Sequence, residues 1–303
     1  MLPHYPESLR LRRSQRALFG AGIHKRTQPP TLGVPLELGD SVLLDLPDSW
    51  DIHDQGARGA CVAHAAIACL EYHVFRETNV LTPLSEQFIH FKMRELQLQQ
   101  HIVSDRTWLS EATKVLETQG VCLQSECLYS PFPGPNGDAG DPPSAEAIKS
   151  AQTRKFAAKV LEHPEDNGVL PAVFVVERLR CGQAAAISIP VQVLPLSNGV
   201  TNWTKRLGRY FGIVADPGGD CPDGHAVCIV GYLKDHSAAG GGWFVCRNSW
   251  GLEWASEAQS EQPFAVSALS GRGYGVISAA YLNSLCSEIF TVSGADQDQG
   301  ITP

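Results

Sequence analysis

Long apolar runs are missing from this sequence. No stretch approaches the ~20 consecutive apolar residues of a membrane-spanning helix. The start carries no apolar core of the length a signal peptide needs. The chain is therefore expected to be soluble and to reside in the cytoplasm. Positive charge is in short supply: 24 Lys and Arg stand against 32 Asp and Glu, a net charge of −8. Such a balance offers nothing to nucleic acid or to an anionic membrane. CxxC pairs are absent and the ten histidines show no ligand spacing, so neither a metal nor a cofactor is expected. Gly240-Gly241-Gly242 lacks the lysine and the strand-to-helix setting of a phosphate loop. No internal repeat occurs.

What is present fits a globular domain: 43% hydrophobic and 18% charged residues. Nine cysteines, an odd number, are scattered through the chain, and Cys69, Cys228 and Cys246 lie in apolar runs. Buried free thiols in a reducing compartment follow from that pattern. Arg10, Arg12, Arg13, Arg16, Lys25 and Arg26 make the N-terminal arm basic, and its prolines suggest a leader draped over the surface.

Periodicity divides the remainder in two. Ser41–Leu46 reads as a short strand. Apolar residues at three- and four-residue spacing predict a helix from Cys61 to about Arg76, and Ser85 caps a second helix reaching about Gln99. A third runs from Leu109 to about Gln119 and stops at Gly120. A proline- and glycine-rich loop, Ser130–Ala145, follows, with short helices near Ala145–Gln152 and Glu177–Arg180. Thereafter Ala184–Leu194, His225–Leu233, Gly242–Arg247 and Gly275–Ser278 read as strands. Helices first and strands second predict an α+β fold of two lobes, the second an antiparallel sheet or barrel.

Three stretches carry chemistry. In Gln55-Gly56-Ala57-Arg58-Gly59-Ala60-Cys61 a polar, Gly-punctuated turn enters a helix with a cysteine at the junction. There the helix dipole and unpaired N–H groups favour the thiolate, which is the nucleophilic form. Gly224-His225-Ala226-Val227 opens a strand with an imidazole, and Asn248-Ser249-Trp250-Gly251 closes another. The order Cys, His, Asn across two lobes suits a cysteine activated by an imidazole that a third group orients.

Together with Leu84-Ser85-Glu86-Gln87 and Gly273-Tyr274-Gly275, these blocks resemble the signatures of papain-family cysteine peptidases. The resemblance runs from about Leu44 to Cys286 and implies the papain-like two-lobe fold, with its cleft between the lobes. It divides the chain into a basic leader (1–43), a peptidase domain (44–290) and a disordered polar tail (291–303). Within the domain it implies a helical lobe at about 50–130, an insertion at about 130–145 and a β lobe at about 180–290. It also implies that Cys61 is the nucleophile, His225 its base and later acid, Asn248 the orienting group and Gln55 an oxyanion donor. A thiolate–imidazolium pair is expected, with the cysteine pKa lowered and the histidine pKa raised. Trp250 would shield the His–Asn bond, and Gly224 and Thr107 would border the substrate cleft.

The departures are specific. Arg58 and Val62 replace a cysteine and an aromatic residue of the usual first block. His225 follows Cys61 at a longer interval than the ~130–150 residues typical of the family. Insertions at the Pro/Gly-rich loop Ser130–Ala145 and around Thr201–Phe211 account for the excess, and a further insertion, Ala255–Gly271, is expected to overhang the site. The stretch before Gln55 is too short for the family's long propeptide, so no zymogen is expected, the alternative being that the basic arm itself blocks the cleft. Hydrolysis of a protein or peptide substrate through a thioester is the leading reading. The alternatives are acyl transfer to an amine on the same residues, and a catalytically silent binding homologue.

Overall fold

The computed structural model describes residues 21–22, 36–101, 106–133, 139–164, 166–193, 201–203, 212–213, 220–255 and 272–293. Its central helix, α1 (Cys61–Thr78), buries every residue from Cys61 to Tyr72. Alanines at 63, 65, 66 and 68 keep that helix thin, so strands approach it closely. It ends at Asn79, whose left-handed conformation (φ 58°) and N–H bond to the Phe75 carbonyl terminate the last turn. Ser85 caps α2 (Glu86–Gln99), its hydroxyl accepting from the Phe88 N–H at 3.0 Å. α3 (Leu109–Thr118) has the buried carboxylate of Glu288 at its start, accepting from the N–H groups of Leu109 (3.0 Å) and Ser110 (3.1 Å). Two short helices follow, α4 (Ala145–Ala151) and α5 (Pro171–Arg180).

One sheet of eight strands makes the second lobe. Its members are β1 (Val42–Leu43), β2 (Ala158–Glu162), β3 (Ala185–Val193), β4 (Gly212–Ile213), β5 (Asp220–Lys234), β6 (Gly242–Arg247), β7 (Tyr274–Ser278) and β8 (Glu288–Val292). The order is β2-β8-β3-β5-β6-β7-β4, with β1 joined to β5. All pairs are antiparallel except β4 with β7. The long β5 is the spine: β3 takes its first half, β1 its end, and β6 runs along the other edge. A last helix, α6 (Ala279–Leu285), returns the chain to β8. The result is the α+β, two-lobed arrangement, with α1 packed against the sheet where Cys69 and Cys228 place their sulfurs 3.5 Å apart. All nine cysteines are free thiols. No helix among the described residues is long and apolar enough to cross a membrane.

Two expectations need adjustment. β8 extends to Val292, which pairs with Ala158, so the polar tail begins later than residue 291; residues 294–303 lie outside the described residues. The leader does not simply drape the surface, because Ala21 is fully buried between the lobes. The overhang expected of Ala255–Gly271 falls on residues 256–271, which are outside the described set.

Candidate active site

Cys61 is the first residue of α1 and is fully buried. The loop before it is held by side chains rather than by a disulfide. Gly56, at φ +62°, takes a backbone shape that other residues resist, and a β-carbon there would fall 2.2 Å from the Pro131 carbonyl. Arg58, fully buried, donates from Nη1 to Gln87 Oε1 (2.7 Å) and the Ser130 carbonyl (2.9 Å), and from Nη2 to the Ala139 carbonyl (2.9 Å). Its guanidinium also lies 4.6 Å from the Tyr129 ring centre. The arginine thus ties the nucleophile loop to α2 and to the Pro/Gly-rich insertion.

Gln55 joins that loop to the sheet. Its N–H donates to the Ser249 carbonyl (2.8 Å), and the Ser249 hydroxyl donates to its Oε1 (2.6 Å). The Gln55 amide nitrogen donates to the Arg58 carbonyl at 2.9 Å. Next to Ser249, Asn248 Oδ1 stands 2.7 Å from His225 Nε2 and accepts the Ser249 N–H at 2.8 Å. A backbone N–H can only donate, so the Asn248 atom at this point is its oxygen. His225 Nε2 therefore carries hydrogen, and in the neutral ring Nδ1 holds the lone pair.

Aromatic rings enclose the imidazole. Trp250 lies tilted over it with centres 4.5 Å apart, and Trp203 meets it edge-on at 5.0 Å. Trp254 stacks on Trp203 and donates its indole N–H to the Trp203 carbonyl at 3.2 Å. Burial in this cage pushes the His225 pKa down to about 4, and the Asn248 hydrogen bond offsets only part of that. The expected rise of this pKa is thus reversed: His225 is neutral at pH 7 in the arrangement described.

The groove wall explains the enclosure. Ala21 donates its N–H to the Gly224 carbonyl (3.3 Å), and Gly22 donates to the Thr107 carbonyl (2.8 Å). Ser188 Oγ donates to the Gly22 carbonyl at 3.2 Å. Ala21 thereby forms bridges to Thr107 on one side and Gly224 on the other. Only glycine fits at 22, since a β-carbon would lie 2.0 Å from the Trp108 indole. Beside this strand Arg106 pairs with Asp223 at 2.7 Å and donates to the Pro222 carbonyl at 2.7 Å, clasping the two walls.

Among the residues singled out in the sequence, Cys61 starts α1. His225 and Asn248 are bonded, Gln55 is tied to the residue after Asn248, Trp250 covers the imidazole, and the backbones of Gly224 and Thr107 border one groove. Sequence reasoning missed Trp203 and the strand at Ala21–Gly22. A lone tryptophan between polar residues was the available signal for the first; the second has none in its composition.

A family profile described as papain family cysteine protease matches residues 48–259. Among solved structures the chain is similar to xylellain, a cysteine protease from Xylella fastidiosa. Their TM-score is 0.65 at 21% identity, over 93% of this chain and 98% of that one. It is also similar to digestive procathepsin L 3 of Tenebrio molitor larval midgut, with TM-score 0.54 and 16% identity over 95% and 78% of the two chains. The bromelain protease of Ananas comosus, solved with the E64 inhibitor, gives TM-score 0.52 and 15% identity over 84% and 100%. Among curated proteins none matches the chain.

Proposed function

This chain belongs to the papain family of cysteine proteases, and we propose that it hydrolyses peptide bonds through a thioester formed on Cys61. The observation that carries the reading is the His225–Asn248 bond under Trp250, fixed to the nucleophile loop through Ser249 and Gln55. In the productive state Cys61 transfers its proton to His225 Nδ1, and the thiolate attacks the scissile carbonyl carbon. The new oxyanion takes hydrogen bonds from the Cys61 N–H at the helix start and from a side-chain N–H of Gln55. Imidazolium then gives its proton to the leaving amine as the C–N bond breaks. Water, deprotonated by the same imidazole, attacks the thioester and releases the acid and the thiol.

Ala21 and Gly22 lie between the two walls, hydrogen-bonded to Gly224 on one and to Thr107 on the other. This favours a second element of the reading: the chain as described is a closed form, and substrate reaches Cys61 only when that strand leaves. Cytoplasmic residence remains our proposal from composition. Digestion of a peptide library, with cut sites read by mass spectrometry, tests the activity. Cys61→Ala should abolish cleavage and labelling by an E64-type epoxide. Persistent labelling of that variant would sink the assignment of the nucleophile, and products joined to added amines in place of hydrolysis would make the enzyme an acyl transferase.

A further inference from the structure

Behind the wall that carries Asn248 and Ser249 lies a small cavity of about 20 Å³, lined by His53, His64, Glu71, Glu86 and Arg247 among others. None of these side chains has a part in the reaction proposed above. The three nearest one another come from three elements: His53 from the loop before Gln55, His64 from the first turn of α1, and Glu86 from the start of α2. His53 Nδ1 is hydrogen-bonded to Glu86 Oε1, and His64 Nδ1 stands 3.5 Å from the same oxygen. One ligand atom from each of the three lies within 4.8 Å of the others. His64 Nε2 and Glu86 Oε2 are buried with no hydrogen-bond partner. Their residues are only 5% and 1% exposed, so bulk water does not satisfy them.

We propose that His53, His64 and Glu86 bind one divalent ion of the zinc class, at a site separate from the Cys61–His225 pair. Two imidazoles and a carboxylate form a borderline-soft donor set, suited to zinc or cobalt and poorly suited to calcium or magnesium. Bonds of about 2.0–2.2 Å place tetrahedral ligand atoms about 3.4 Å apart, so the ion takes the place of the His53–Glu86 hydrogen bond, whose atoms move apart, while the two imidazoles draw together by side-chain rotation. The cavity has room for one sphere of water size, which the ion would fill, leaving a fourth ligand to come from water on the partly exposed His53 side. Charge agrees: the carboxylates of Glu71 and Glu86 face one guanidinium, Arg247, which is turned over the Trp50 ring at 4.1 Å. His53, with a side chain 26% exposed, is the route from solvent. An ion here would pin the Gln55 loop to α1 and α2, fixing the wall behind the reacting groups.

The same cavity would hold a single water if no ion binds, so the experiment must separate the two. Full-length Cys61→Ala protein, which lacks the nucleophile thiol and does not digest itself, is stripped with chelator and titrated with cobalt(II). The expected result is one ion per chain, with weak visible bands of a tetrahedral nitrogen–oxygen site and no intense near-ultraviolet thiolate band. Zinc should displace the cobalt and raise the melting temperature. His64→Phe and, separately, His53→Gln should each weaken binding at least tenfold. If His64→Phe fails to fold, His53→Gln carries the test alone, since His53 lies at the half-exposed edge. Absence of binding would mean that the cavity holds only water. A thiolate band, or unchanged affinity in both variants, would place the ion elsewhere; any of these results overturns the proposal.

Discussion

Arg58 stands where the family's first block usually has a cysteine, three residues ahead of the nucleophile, and it replaces one covalent link with three hydrogen bonds. Hydrogen bonds from a charged donor contribute more than neutral ones, and buried acceptors left without a donor are costly. Arg58→Met should therefore destabilise the protein by roughly 3 kcal/mol, read from urea midpoints at constant m. A loss under about 1 kcal/mol would mean that the loop relaxes without this anchor. Glu288 makes the opposite kind of argument. Burial raises its pKa from 4.5 to about 7, although two N–H groups at the start of α3 favour the charged form. Between those values the folded chain binds a proton that the unfolded chain has released, so stability falls as pH rises through the window and levels off above 7. The full displacement corresponds to roughly 3 kcal/mol. Unfolding free energies measured from pH 4.5 to 8 should show that decline in the native chain and a flatter line in Glu288→Gln. Parallel lines would assign the titration to another group.

Elements read from periodicity were legible where burial has a simple geometry. The helices starting at Cys61, Glu86 and Leu109, and four of the five strands from Ala185 to Ser278, lie within about five residues of their expected bounds, while the two-residue β4 went unread. The pairing partners β2 and β8 were not, because Ala158–Glu162 and Glu288–Val292 are short and acquire strand form only from each other. The site was legible as three blocks; its enclosure was not. Trp203 reaches His225 from an insertion, and the Ala21–Gly22 strand is held by backbone bonds that carry no side-chain signature. That strand has three hydrogen bonds, at about 1 kcal/mol each a total of about 3 kcal/mol, or roughly a hundredfold in occupancy. Gly22→Leu cannot fit against Trp108 and should raise kcat/KM of the full chain by up to that factor. Arg106→Ala removes only a half-exposed clasp and should raise it severalfold at most. Equal activity in the native chain and Gly22→Leu would show that the strand does not limit access.

At the scale of the whole molecule, the closed form proposed above makes occupancy of the groove and the charge state of the site one equilibrium. With Ala21–Gly22 in place, His225 is sealed beneath Trp203 and Trp250, and its pKa of about 4 keeps it neutral. A neutral imidazole in a buried cage does not stabilise a thiolate at Cys61. Both charges of the ion pair would lack solvation there, and their attraction repays desolvation only when geometry and further hydrogen bonds are favourable. Departure of the strand admits water, lowers the desolvation penalty and lets the proton pass from sulfur to Nδ1. No net proton is taken up in that transfer, so the opening itself should depend little on pH near neutrality. The reactivity of the thiol should nonetheless change character. Iodoacetamide, small and uncharged, reports this directly. In the full chain, alkylation of Cys61 should be slow at pH 6 and rise only toward the ~8.5 of an ordinary thiol. In a chain lacking residues 1–22 it should be fast at pH 6, about a hundredfold above the full chain, with an acid limb well below 8.5. Mass spectrometry of the labelled peptide identifies the site against the other eight cysteines. A truncated chain that still reacts with a single rise near 8.5 would mean that opening the groove does not create the ion pair, and the neutral state of His225 would then belong to the tryptophan cage alone.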